Sequence, residues 1–102
     1  MNFGNLVQQA QQLQRKVNKA KKEFNEKEFD FSSQCEVITG KMNGNLEIKE
    51  LHIQEDMISV DNKQDIEDLL IVTINQTIKR ISKEKEDTLN KITNGVDVSA
   101  FL

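Results

Sequence analysis

The sequence contains no proline, tryptophan or tyrosine, and only one cysteine and one histidine. Without proline, nothing in the chain forces a helix to break. A lone cysteine, Cys35, excludes an internal disulfide and suits a reducing cytoplasm. It has no CxxC partner and reads as a small, half-buried apolar residue. No apolar run approaches the roughly 20 residues of a membrane span. The N-terminus also lacks the apolar core of a signal peptide. The expectation is therefore a cytoplasmic protein with no membrane partner. His52 has no cysteine or carboxylate pair at metal-ligand spacing and reads as an exposed strand residue. No phosphate loop, GxSxG or HExxH motif occurs. The residues thus point to no catalytic group, no metal, no cofactor and no small-molecule substrate.

A further absence is local. From Met1 to Lys22 there is no aspartate or glutamate, although the whole chain carries 17 acidic residues. The same stretch holds Arg15, Lys16, Lys19, Lys21 and Lys22. Its apolar residues Phe3, Leu6, Ala10, Leu13, Val17, Ala20 and Phe24 recur at alternating steps of three and four, a heptad seam on an otherwise polar helix. With Phe3 at position a, Arg15, Lys19 and Lys22 fall on the outer face, while Lys16 and Lys21 flank the seam. Gln8, Gln9, Gln11, Gln12 and Gln14 precede the cations; these side chains favour helix and hydrogen-bond without charge. The sequence thus places a basic amphipathic helix on an acidic body. The overall charge of −3 counts against a nucleic-acid partner only weakly. Where signs are segregated, a basic face acts over about one Debye length, ~8–10 Å.

At 102 residues the chain is expected to form one domain, 1–102. The first helix should run from about 2 to 26, capped by Asn2 or Asn5. Phe29 and Phe31 alternate with polar residues in a first strand, 28–31, and Ser32-Ser33 turn the chain. A second strand is expected over 35–42. Asn43-Gly44-Asn45 signals a hairpin leading into a third strand, 46–53. In that strand Leu46 and Ile48 are out of phase with Leu51 and Ile53. A bulge at Lys49-Glu50 would return all four to the core face, with Met42 opposite Leu46 and Gly40 opposite Ile48. Asp61 or Asn62 can cap a second helix, 62–93, whose early carboxylates Asp65, Glu67 and Asp68 suit its positive end. Ile66, Leu70, Ile74, Thr77, Ile78 and Ile81 form its core stripe, with Leu69 and Val72 off it. Asn94-Gly95 stops the helix before a short tail, 96–102.

The expected fold class is α+β: an α-β-β-β-α protomer with a three-stranded antiparallel meander between long helices. A first helix of about 24 residues would span some 36 Å, longer than a three-stranded sheet covers. The second helix carries apolar residues on more than one side. Both features point to a homodimer, with Leu69, Leu70, Val72 and Ile74 as its expected interface.

The run Gly4-Asn5-Leu6-Val7-Gln8-Gln9-Ala10-Gln11-Gln12-Leu13-Gln14-Arg15-Lys16-Val17 closely resembles the opening of the YbaB/EbfC family of bacterial nucleoid-associated proteins. Asn43-Gly44 followed by Leu51-His52-Ile53 is similar to the family's hairpin and V-x-I strand. Ile66-Glu67-Asp68-Leu69-Leu70, with Asn75 and Lys79-Arg80-Ile81, looks like its second-helix signature. The resemblance implies a tweezer-shaped homodimer that binds double-stranded DNA without catalysis. The chain departs from the family pattern in three places. Gly40 stands where a β-branched residue is usual. Ile71-Val72-Thr73 replaces small alanines, and the Pro-Gly of the usual tail is missing.

On this reading Arg15, Lys16, Lys19, Lys21 and Lys22 contact phosphates, with salt-dependent affinity and low or shape-based sequence preference. Lys79, Arg80, Lys83 and Lys85 form a candidate second cluster; Glu84, Glu86 and Asp87 interrupt it, so i,i+4 pairing on a solvated helix is the reading favoured there, with Lys79, Arg80 and Lys83 kept as secondary DNA contacts. The residues alone leave two other readings. The basic face could be merely solvated while the seam docks a partner protein's helix. A small enzyme is the other, and it lacks any convergent polar site.

Overall fold

The computed structural model describes residues 3–93. The tail expected at 96–102, Asn2 and the Asn94-Gly95 stop lie outside the described residues. The element order is α1 (Phe3–Glu26), β1 (Glu28–Ser32), β2 (Ile38–Asn43), β3 (Ile48–Ile53) and α2 (Lys63–Thr93). The strands form an antiparallel sheet in the order β1-β2-β3. This is the α-β-β-β-α arrangement that the alternation and heptad patterns imply.

One sheet face is apolar because side chains alternate along each strand. Phe31 and Ile38 from this face join Met42, Val37, Phe24 and Ile81 in the main core. Leu70, Ile74 and Ile78 of α2 pack against it, as the predicted stripe requires, and so does Leu69, which the stripe excluded. Gly40 sits opposite Phe31, and a Cβ on Gly40 would lie 2.5 Å from the Phe31 ring and 2.2 Å from the Glu50 carbonyl. The aromatic ring therefore occupies the space that a β-branched residue would fill.

Two strand boundaries differ from the expectation, both for the same physical reason. Cys35 and Glu36 adopt left-handed backbone angles (φ 56° and 54°), so residues 34–36 form a tight turn and β2 begins at Ile38 rather than Cys35. That turn also leaves Cys35 exposed rather than half-buried. Leu46 has φ 64°, which lengthens the hairpin loop and starts β3 at Ile48. Met42 consequently pairs with Ile48 and Gly40 with Leu51, not with Leu46 and Ile48. The register shift falls where expected, with Lys49 as the extra residue. Yet Leu46, Ile48 and Leu51 remain 42%, 47% and 43% exposed, because α2 packs on β1 and β2 and leaves β3 uncovered.

Beyond the sheet, α1 and α2 continue together as an antiparallel pair. Val17 and Leu89 are fully buried against each other, supported by Leu13, Ala20 and Ile92. The lower half of the seam thus closes on α2. The molecule measures 71 × 19 × 16 Å with a radius of gyration of 19.3 Å. A compact chain of this length would have a radius of about 13 Å. The difference is the helical arm.

The root of the arm is braced by the β2–β3 hairpin. Gly44 donates its N–H to the Lys27 carbonyl at 2.9 Å, and a Cβ there would lie 1.9 Å from the Phe24 carbonyl oxygen. Asn43 is buried, and its side-chain oxygen accepts the N–H groups of Asn45 and Glu47 at 2.9 and 3.0 Å. On the other side, Lys27 meets Glu84 of α2 at 3.2 Å and lies 5.0 Å from the Phe29 ring centroid.

Candidate nucleic-acid interface

The heptad seam decides where the cations of α1 point. Closing Leu13, Val17, Ala20 and Phe24 onto α2 and the sheet turns the opposite face outward. Arg15, Lys16, Lys19 and Lys22 are exposed on the arm, while Lys21 beside the seam is half-buried. Arg15, Lys19 and Lys22 follow one another at steps of four and three, so they form one line along the helix. Among the described residues Arg15, Lys16 and Lys22 have no ion pair. Lys19 approaches Glu23 at 3.9 Å, with both side chains mostly in solvent. Such an exposed i,i+4 pair is worth at most a few tenths of a kcal/mol and leaves the lysine available to another anion.

The second predicted cluster is built differently. Arg80 donates to the backbone carbonyl of Asp30 at 2.6 Å, tying α2 to the outer edge of β1. Lys83 pairs with Asp87 at 3.8 Å. Lys79 is exposed. The structure therefore gives Arg80 a bracing role that sequence spacing could not reveal. It does not merge this cluster with the arm's line of cations.

The residues expected at a subunit interface lie in the first half of α2, where Leu69 and Val72 line a surface shared with Ser32, Gln34 and Met57. Leu69, Leu70 and Ile74 are half-buried against the protomer's own core, and Val72 is exposed beside Ile71. His52 is exposed on β3, 3.8 Å from Glu50. An open cleft of about 550 Å³ beside them is lined by groups of both signs, including Asp30, Lys41, Glu50 and Arg80.

The hairpin also perturbs a carboxylate. The Asn43 side-chain amide, 2.9 Å away, holds the Glu47 carboxyl below the usual glutamate range; Asn45 and the charge of Lys49 act in the same direction. This belongs to the hairpin brace and not to a reactive site.

Two features are not readable from the sequence. One is the contact between Gly44 and the end of α1, which an Asn-Gly turn signal does not specify. The other is where, among the described residues, the burial of α1 stops. Every residue from Phe3 to Gln12 is exposed, with Phe3 at 76%. The unbroken heptad pattern carries no sign that burial stops near Leu13.

Comparison with known proteins agrees with this architecture. A crystal structure of a Helicobacter pylori protein matches the fold with a TM-score of 0.77, covering 91% of this chain and 98% of that one at 14% identity. A nucleoid-associated protein of Clostridium novyi is 34% identical over 98 residues, 96% of this chain and 86% of its own length. One from Malacoplasma penetrans is 39% identical over 95 residues, 93% of this chain and 96% of its own. Another, from Enterococcus faecalis, is 33% identical over 93% of this chain and 91% of its own length. The model of the YbaB/EbfC DNA-binding family matches residues 1–96. The chain belongs to the YbaB/EbfC DNA-binding family.

Proposed function

We propose that this protein is a bacterial nucleoid-associated protein that binds double-stranded DNA as a homodimer, coating or bending it with low sequence specificity. The observation that carries the proposal is the outward line of Arg15, Lys19 and Lys22 on a projecting arm, with Lys16 alongside; of these four, only Lys19 has a carboxylate partner among the described residues, the exposed Glu23 at 3.9 Å. Phosphate contacts of this kind release counterions and need no base-specific geometry. Lys21 adds charge beside the line, and Lys79 and Lys83 are secondary contacts. Arg80, held by Asp30, contributes mainly to the shape of the body. The function is binding and not catalysis, with no cofactor and no small-molecule substrate, in the cytoplasm at the nucleoid.

The homodimer is supported by apolar surface left open on the protomer. Ile48 and Leu51 of β3 and Ile71 and Val72 of α2 are exposed, and Leu69, Leu70 and Ile74 are only half-buried. β3 also presents an unpaired sheet edge, which natural proteins usually cover. A symmetric pair would bury this surface and carry two arms.

A gel-shift titration across salt tests the proposal. Binding should weaken steeply as salt rises, and Lys19→Glu with Lys22→Glu should abolish it. Retained binding in that variant would move the site away from the arm. Absence of binding at low salt would favour a partner-protein helix on the exposed Phe3–Leu6–Ala10 part of the seam.

A further inference from the structure

From Ile48 to His52, β3 is exposed on both of its faces. Ile48 and Leu51 lie opposite Met42 and Gly40, on the core face of the sheet. Glu50 and His52 lie opposite Lys41 and Thr39, on the polar face. Just ahead of β3, the Glu47 carbonyl accepts the Asn43 N–H at 2.9 Å, which sets Glu47 beside Asn43. Asn43, Lys41 and Thr39 alternate along β2, so Glu47 joins Glu50 and His52 on the polar face. Lys49 is the extra residue of the bulge, so Lys49 and Glu50 together face Lys41.

This order makes the edge of β3 complementary to itself. Outward from the Lys49–Glu50 bond, each residue matches its mirror position: lysine with glutamate, Ile48 with Leu51, Glu47 with His52. An antiparallel pairing of two such edges has a two-fold axis perpendicular to the sheet, and that axis keeps every side chain on its own face. In a regular strand Ile48 and Leu51 would point to opposite faces and could not meet in this way. The bulge brings both to the core face. A slip by one residue in either direction would set Glu50 against Glu50 or Lys49 against Lys49, and parallel pairing in register would set every charge against its like. Like charges directly opposite each other are destabilising.

We propose that a second copy of this chain occupies the β3 edge, antiparallel about a two-fold axis between Lys49 and Glu50, so that Lys49 meets the partner's Glu50 and Ile48 meets the partner's Leu51. Lys49 forms no salt bridge among the described residues, and Glu50 has only the contact with His52 at 3.8 Å. The sheet's other edge is less open: Arg80 donates to the Asp30 carbonyl of β1 at 2.6 Å. The pairing joins two three-stranded sheets into one. It also keeps both core faces, and hence both α2 helices, on the same side. The inference rests on the homodimer reading above and gives that dimer its strand and its register.

The test uses two charge reversals in the full-length chain, Lys49→Glu and Glu50→Lys, at low salt. Alone, each sets like charges against each other twice across the axis. Sedimentation equilibrium should show each dimer weakened by about tenfold or more relative to wild type. Mixed together, the two variants restore both opposite-charge contacts. With one variant labelled with nitrogen-15, native mass spectrometry should then show mostly heterodimer, well above the statistical half. The chain carrying both reversals should dimerise about as tightly as wild type, which separates a lost contact from a damaged fold. A wild-type dimer that neither reversal weakens, or a mixture that stays at statistical proportions, overturns the inference and leaves the homodimer standing on another surface. A wild-type chain that stays monomeric at every concentration overturns both.

Discussion

Cys35, Glu36 and Leu46 occupy left-handed backbone, and each sits where a strand starts later than its alternation pattern implies. Such a conformation costs an L-residue about 1–2 kcal/mol. Glu36→Gly should relieve part of that strain, offset by the greater unfolded-state entropy of glycine. The expected net gain is up to about 1 kcal/mol, read from denaturant unfolding. Gly44 is the reverse case. Its missing Cβ lets the hairpin touch the Phe24 carbonyl, a backbone atom that cannot rotate away. Gly44→Ala should destabilise the protein by about 1–3 kcal/mol, as overpacking does elsewhere, and urea unfolding measures it. Glu47 supplies a pH signature. Its carboxyl titrates lower in the folded state than in the unfolded chain, chiefly through Asn43. The stabilisation is present above the unfolded-state value and is lost as pH falls through the lower folded value. Thermal melts between neutral and strongly acid pH should show a smaller acid effect for Glu47→Gln than for wild type.

At the level of elements, the arm is a helical pair held by a satellite core separate from the sheet. Leu89 is its centre, with 1% exposure, against a fully buried Val17. Leu89→Ala should destabilise by about 2–5 kcal/mol. Hydrogen exchange should register this as faster amide exchange in the outer halves of α1 and α2, with β1 and β2 still protected. The helices and strands were legible because their periods are strong. The seam from Phe3 to Phe24 and the alternation through Phe29 and Phe31 admit few other readings. The strand starts at Ile38 and Ile48 were not legible, because Cys35, Glu36 and Leu46 carry none of the glycine or asparagine chemistry that usually marks left-handed backbone. The burial of Leu46, Ile48 and Leu51 was overestimated for a different reason. Their spacing reports a common face, and α2 does not reach that far across the sheet. The basic line was legible from spacing alone, whereas the engagement of Arg80 by Asp30 depends on a contact across 50 residues.

For the whole molecule, an extent of 71 Å against widths of 19 and 16 Å means that the cations sit on a lever, not on a compact body. This separation offsets the effect of the net negative charge. None of the 17 acidic residues lies between Met1 and Lys22, and at ~0.15 M salt a charge is screened beyond about 8 Å. Binding driven by this face should follow counterion release. Lys22→Ala should therefore flatten the slope of log affinity against log salt by about 0.9 for each phosphate that is no longer neutralised.

The most direct measurement is a titration of the isotope-labelled protein with a short duplex, followed residue by residue in NMR amide spectra. If the arm is the DNA-binding element, the amides of the exposed α1 face from Gln8 to Lys22 shift together, while those of β2 and β3 stay in place. Shifts confined to the sheet or to α2, with α1 silent, would contradict it.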